Sequence, residues 1–197
     1  METRDKIIAT AQRLFFRHGI KAVRMDDIAQ SIHISKRTLY QLFPDKKTLL
    51  LTCIATADEE HRKAAQAILS STDNILEIAL RIFRIQAEEM KAASHIFILE
   101  ASQNPDVINF IESLHRHNSD EMRHFIQRGV EQGYFRSDVN YEIIQRMFYA
   151  GLNTTKATEL LSLYKPIEIF QSTHLVMLRG CLTEKGMKLL QQFESQA

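Results

Sequence analysis

Residues 33–43 read HISKRTLYQLF and run straight into Pro44. No other stretch constrains the fold so tightly. Pro44 has no amide hydrogen and pushes Phe43 out of the helical region, so a helix opening near Ser35 must stop after about two turns. Ser35 carries the side-chain oxygen that an N-cap needs. Upstream, Met25, Ile28, Ala29 and Ile32 recur at i, i+3, i+4 and i+7, which predicts a second short helix. Only His33 and Ile34 remain to turn the chain. Before both, Ile7, Ala11, Leu14, Phe15 and His18 recur at helical spacing, with Thr3 as a cap and Gly19 at the left-handed position that ends helices. Two short helices joined by a tight turn, behind a supporting helix, make a helix-turn-helix.

The third of these helices has two chemically distinct sides. On a helical wheel Leu39, Leu42 and Phe43 fall together and face Ile28, Ile32 and Ile34. Lys36, Arg37, Tyr40 and Gln41 fall on the other side. An α-helix fits the DNA major groove, where Arg and Lys read guanine and Gln reads adenine. Ser35, Thr38 and Tyr40 are groups that fix register on phosphates. Lys46, at the start of the next helix, adds positive charge beside exposed amides and suits a phosphate. A capped surface helix with ordinary polar cover is the competing reading.

Charge favours the nucleic-acid reading. Residues 1–50 hold ten Lys/Arg against five Asp/Glu, a net +5, while the rest holds 15 against 19, a net −4. The near-neutral total of +1 therefore hides a basic head on a mildly acidic body.

The body also reads as helical. Asp45 caps a fourth helix reaching about residue 69, and Asp73 or Asn74 starts a fifth to about 91. An apolar run, HIFILEA, covers 95–101. Pro105 opens a long helix to about Gly133, and YFRSDVN leads to another at about 141–162. Lys165-Pro166 opens a helix to about 180, and 183–193 form the last. The expected fold is all-α: a three-helix DNA-binding domain over residues 1–50, joined by a long helix to a helical bundle over 51–197 for ligand binding and dimerisation. No apolar run approaches the ~18 residues a membrane span needs, and METRDKII is charged where a signal peptide is apolar, so no membrane role and a cytoplasmic location are expected. Cys53 and Cys181 form no metal spacing and no disulfide framework; a redox-sensing pair is the alternative to two reduced thiols. No nucleophile elbow, P-loop, dinucleotide fingerprint or zinc-protease motif occurs, so neither catalysis nor a cofactor is expected.

MDDIAQSIHISKRTLYQLFPDKKTLL resembles the signature of the tetracycline-repressor (TetR) family of bacterial regulators. Ile28-Ala29, Ser35-Lys36, Thr38-Leu39-Tyr40, Phe43 and Lys46 match that pattern residue by residue. The resemblance implies a homodimer on palindromic double-stranded DNA, with a small-molecule effector pocket in the body. Three positions depart from the pattern. His33 stands where the turn usually has Gly, a conformation that His tolerates better than most side chains. Arg37 replaces a residue that is often Gly, adding a long donor. Arg24 replaces the hydroxyl that caps the second helix, so that cap is lost or taken by Asp26.

Within the body, polar groups on or beside apolar faces are candidate effector contacts: His95, Glu100, His115 and Asn118. Glu100 reads equally well as a satisfied structural carboxylate. Two weakly polar stripes are candidate dimer surfaces, one with Met147, Phe148, Gly151 and Thr155, the other with Phe170, His174 and Met177; both also read as internal core. His117, Asp120, Glu121 and His124 share a helix face, but it lies opposite the apolar stripe and reads as solvated rather than metal-binding. A helical dimeric ligand-binding or adaptor protein, whose head does not bind DNA, is the alternative function.

Overall fold

A computed structural model describes residues 2–117, 119–152 and 155–195, with side chains outside 115–119 and 148–158. Every regular element among them is an α-helix, and no helix is long and apolar enough to cross a membrane. The chain divides into two compact units, residues 1–63 with 93–111, and residues 64–92 with 112–197.

The first unit opens with α1 (Thr3–His18), α2 (Met25–Ser31) and α3 (Lys36–Leu42). It adds the start of α4 (Lys46–Leu69), α6 (His95–Ser102) and the start of α7 (Pro105–His117). Ile7, Ala11 and Phe15 of α1, Ile28 of α2, Leu39 and Phe43 around α3, and Leu49 and Cys53 of α4 are all buried in one cluster. Phe97 and Val107 join that cluster from residues that the sequence reading assigned to the body. Ser94 N–H donates to the Phe16 carbonyl at 2.9 Å, and the Phe16 and Phe97 rings lie 4.5 Å apart. Gly19, with φ 86°, lies so close to α6 that a Cβ there would meet Ile96 at 2.6 Å. The bare backbone is what admits that approach.

Two local expectations change. Thr3 begins α1 rather than capping it; Glu2 holds the N-cap position and makes no side-chain cap bond. His18, placed on the apolar stripe, is exposed. Cys53 is buried, its thiol pushed up to about 12 by burial, and it lies 3.7 Å from the Ile8 carbonyl. Burial also raises the Cys181 thiol. Neither is the depressed, accessible thiolate that redox sensing requires.

The second unit holds α5 (Ile75–Ala92), α8 (Ser119–Glu131), α9 (Tyr141–Leu152), α10 (Thr155–Leu163), α11 (Pro166–Cys181) and α12 (Glu184–Ser195). α5 is its centre and packs against α8, α11 and α12. Asn74 caps it, its side-chain oxygen accepting the Glu77 amide at 3.1 Å. Ile75, Leu76, Ile78 and Leu80 bury against Phe135, Leu182 and Leu190. The junctions expected to be continuous, 105–133 and 141–162, pass through residues 118 and 153–154, which lie outside the described residues.

His174 of α11 is half-buried, its Nδ1 2.8 Å from the Phe170 carbonyl and its ring 6.3 Å from that of Phe83 on α5. Burial lowers its pKa from the ordinary 6.5, against a smaller opposing pull from the Phe170 carbonyl. The unfolded chain therefore takes up this proton more readily than the folded one. Stability present above about pH 6.5 is lost as pH falls through the folded value. Thermal unfolding between pH 7.5 and pH 5 should show a falling midpoint that flattens in His174→Gln; an unchanged slope would mean that this imidazole does not sense folding.

Candidate nucleic-acid interface

The two short helices are set by their ends. α2 closes through a turn in which Ile34 N–H donates to the Ala29 carbonyl at 3.0 Å and His33 N–H to the Gln30 carbonyl at 3.2 Å. This is the paired bonding of a Schellman motif, whose left-handed residue is usually Gly. His33 fills it with φ 55°, the positive value expected at that turn. At the start of α2, Asp27 accepts the Arg24 amide at 2.7 Å. The capping carboxylate is thus Asp27, three residues past the N-cap, and not Asp26. Asp26 instead reaches α3 and meets the Lys36 ammonium at 2.5 Å.

α3 is capped as its sequence predicts. Ser35 Oγ accepts the Thr38 amide at 3.1 Å and lies 2.8 Å from the Thr38 hydroxyl. Leu39 and Phe43 are buried, with Ile28 beneath them and Ile32 and Ile34 packed at the edge. Leu42 is the correction: it is 40 % exposed and does not share their side. Phe43, at the C-cap, has an extended backbone with φ −136°, which turns its ring inward and leaves Leu42 outside.

The opposite side carries the chemistry. Lys36, Arg37, Tyr40 and Gln41 are exposed, as are Arg24 and Ser35, while Thr38 is half-buried. Arg37, Tyr40 and Gln41 have no hydrogen-bond or ion-pair partner among the described residues. Lys36 is held by Asp26, whose hydrogen bond and then its charge raise the lysine pKa. A water-exposed pair of this kind contributes little stability, so a phosphate can take Asp26's place. Lys46 sits differently from the sequence picture. It is half-buried, its Nζ 3.5 Å from the Lys21 carbonyl and 5.9 Å from the Phe15 ring centre. Burial lowers its pKa, while Glu100 and Asp27 draw it back up.

The body candidates are scattered. Glu100 accepts the Lys21 amide at 2.8 Å, so its carboxylate serves the turn between α1 and α2. His95 lies with it on α6 in the first unit, half-buried. The side chains of His115 and Asn118 lie outside the described residues, as do those of Phe148, Gly151 and Thr155. Phe170 stacks on Phe83 at 5.1 Å within the protomer, next to His174, and Met177 is half-buried on the same helix. Phe170 and His174 of the stripe assigned to dimerisation on α11 therefore pack on α5 of their own chain. Met147, by contrast, is 67 % exposed. The side chain of His117 lies outside the described residues, and no group of three or more metal-ligating residues forms among those described.

A capped three-helix head with a helix-turn-helix, and a recognition helix whose outer side is unpartnered Arg, Tyr and Gln, defines a DNA-binding regulator. Residues 7–53 match the family model "Bacterial regulatory proteins, tetR family". Over that segment, which is the helix-turn-helix head, the chain is similar to this family. It is similar to the HTH-type transcriptional repressor KstR2 of Mycolicibacterium smegmatis, 26 % identical over 148 residues, covering 73 % of this chain and 72 % of that one. Among solved structures it resembles a TetR-family regulator from Agrobacterium tumefaciens, with TM-score 0.70 and 20 % identity over 91 % of this chain and 97 % of the other. It also resembles Thermus thermophilus FadR in complex with lauroyl-CoA, with TM-score 0.57 and 20 % identity over 92 % and 96 % of the two chains. The likeness to the two solved structures is one of fold.

Proposed function

We propose that the protein is a ligand-responsive repressor that acts as a homodimer on a palindromic operator. The observation that carries the reading is α3 itself: two buried anchors, Leu39 and Phe43, hold a helix whose free side presents Arg37, Tyr40 and Gln41. Arg37 and Gln41 are the base readers. Arg24, Ser35, Lys36, Thr38, Tyr40 and Lys46 hold the backbone, with Ser35 and Thr38 already joined to each other and able to offer one remaining hydrogen.

Selection from a random duplex pool tests this. The protein should enrich a palindrome with half-sites about one helical turn apart or a multiple of it. Affinity should fall steeply with salt as phosphate-bound counterions are released. Arg37→Ala should lose discrimination at one or two base positions, by about 1–3 kcal/mol for a bidentate guanine contact. A pool that shows no preference would favour the adaptor reading. An Arg37→Ala profile identical to the parent's would remove Arg37 from the readers.

The effector belongs to the second unit in this reading. A similar fold has been solved in complex with lauroyl-CoA, which supports a ligand for this one. A groove of 430 Å³ between α5, α11 and α12 is lined by the apolar Leu80, Phe83, Ala87, Leu175, Leu190 and Phe193 and by Arg84, Glu88, Lys91, Gln171 and Glu194, with Lys91 paired to Glu88. That volume lies within the usual range of small-molecule sites. An effector bound there must lose affinity when operator is present, typically 5–150-fold, because linkage is reciprocal. Titration with and without operator reads this directly.

A further inference from the structure

The basic groups around the head fall into two sets. Lys36 is paired with Asp26 and Lys47 with Asp106, and the Lys46 ammonium is turned to the Lys21 carbonyl. Arg4, Lys6, Arg13, Arg17, Lys21, Arg24 and Arg37 have no ion-pair partner among the described residues. Arg24 and Arg37 belong to the helix-turn-helix. Arg4 does not: it lies in the first turn of α1, outside the matched segment 7–53.

Its position is nevertheless tied to the recognition helix. The Arg4 guanidinium carbon stands 5.3 Å from the centre of the Phe43 ring. Phe43 is the C-cap of α3 and is 1 % exposed, so Arg4 covers the outer side of the residue that ends this helix. A guanidinium lying on an aromatic ring is attracted by the ring's quadrupole and keeps its N–H edge directed away from it. The usual entropic cost of ordering a long side chain is thereby partly met before any ligand arrives. A helix with side chains is about 10–12 Å across and the major groove about 12 Å wide, so a helix in the groove has phosphates close on both flanks. Arg4 is exposed and is held beside the last residue of α3, at one end of the helix that would enter the groove.

We propose that Arg4 binds a DNA phosphate beside the C-terminal end of α3 and fixes the recognition helix in register from outside the helix-turn-helix. The inference rests on the DNA-binding reading above. It differs from that reading in assigning a contact to α1. Arg4 carries no base information; it holds the frame within which Arg37 and Gln41 read.

The experiment uses the full chain and the duplex enriched by the parent, with affinity measured across a salt series. Arg4→Gln removes the charge but keeps a long stem over Phe43. It should flatten the slope of log affinity against log salt by about 0.9, one phosphate contact, with base preference unchanged. Arg4→Lys should keep the parent slope. Arg13→Ala removes the same charge from the opposite side of α1, nine residues or 180° away, and should also keep the parent slope. A parent slope in Arg4→Gln, or an equal flattening in Arg13→Ala, overturns the proposal while leaving the parent's DNA binding intact. Absence of sequence-dependent binding in the parent overturns the underlying reading, and is seen before any variant is made.

Discussion

Phe43→Ala is expected to lower stability by about 3–5 kcal/mol, the range for removing a large aromatic from a packed core. Phe43 is among the largest fully buried side chains, in the cluster that also holds Phe15, Ile28, Leu39 and Leu49. It is also the turning point between α3 and α4. Its backbone N–H donates to the Leu39 carbonyl at 2.9 Å, and its ring is the weight that keeps α3 pressed on the first unit. With the ring gone, α3 loses one of its two buried anchors and cannot hold its outer side at a fixed angle. DNA binding should be lost with it. Gln41→Ala, two residues earlier, gives the contrast. Gln41 is exposed and without a partner among the described residues, so its stability effect should stay within about 0.5 kcal/mol while base preference changes. Chemical denaturation and duplex binding on the same two variants separate the roles. A Phe43→Ala protein with parent stability would mean that the head is held together elsewhere, and a Gln41→Ala protein with large destabilisation would mean that the outer side of α3 is not free.

The helix-turn-helix is legible in the sequence because its constraints are local. Ser35 caps three residues ahead, Pro44 stops one residue behind, and His33 turns within one step; each acts over a distance that spacing can express. The errors in the head are also local and have plain causes. Leu42 looks buried on an ideal wheel, but a helix of two turns has no interior, and the extended backbone at Phe43 breaks the wheel just where Leu42 sits. Asp27 rather than Asp26 caps α2, because the reciprocal bond reaches back three residues and not two.

What the sequence does not show is long-range. Glu100 binds the Lys21 amide across 79 positions, and nothing near either residue announces it. The same holds for Phe97 and Val107, apolar residues whose partners sit in a helix-turn-helix far upstream. In the sequence, 95–101 is an apolar run and Pro105 opens a new helix, and such patterns say that a side will be covered without saying by what. α11 shows the ambiguity most clearly. Phe170, His174 and Met177 mark one side, Ile169, Thr173, Val176 and Gly180 another, and both are apolar or small enough to pack. Only the placement of Phe83 against Phe170 assigns the first side to the chain's own α5.

That assignment moves the proposed dimer surface, and a charge on the other side of α11 should break it. Val176 is 69 % exposed, and α10, which packs against both α9 and α11, adds Leu163 at 68 %. With Met147 of α9 and Tyr164, the single chain leaves large apolar groups in water on consecutive helices. Scattered exposed leucines need no explanation, but a run of them on neighbouring helices marks an interaction site. In the homodimer proposed here, this side meets its own copy about a two-fold axis, so one substitution strikes the interface twice. Val176→Glu would bury two like charges near each other without partners, which is strongly unfavourable. Because Val176 is exposed in the single chain, the folded protomer should survive with its helical signal intact. Sedimentation should then show a monomer. Operator binding should weaken by about 10²–10⁴, because two linked heads bind as one molecule and separated heads do not. His174→Glu, by contrast, puts a charge against Phe83 and Phe170 and should damage folding rather than assembly. A Val176→Glu protein that sediments and binds like the parent would place the dimer surface away from this side of α11, and the exposed groups on α9 and α10 would be the next to test.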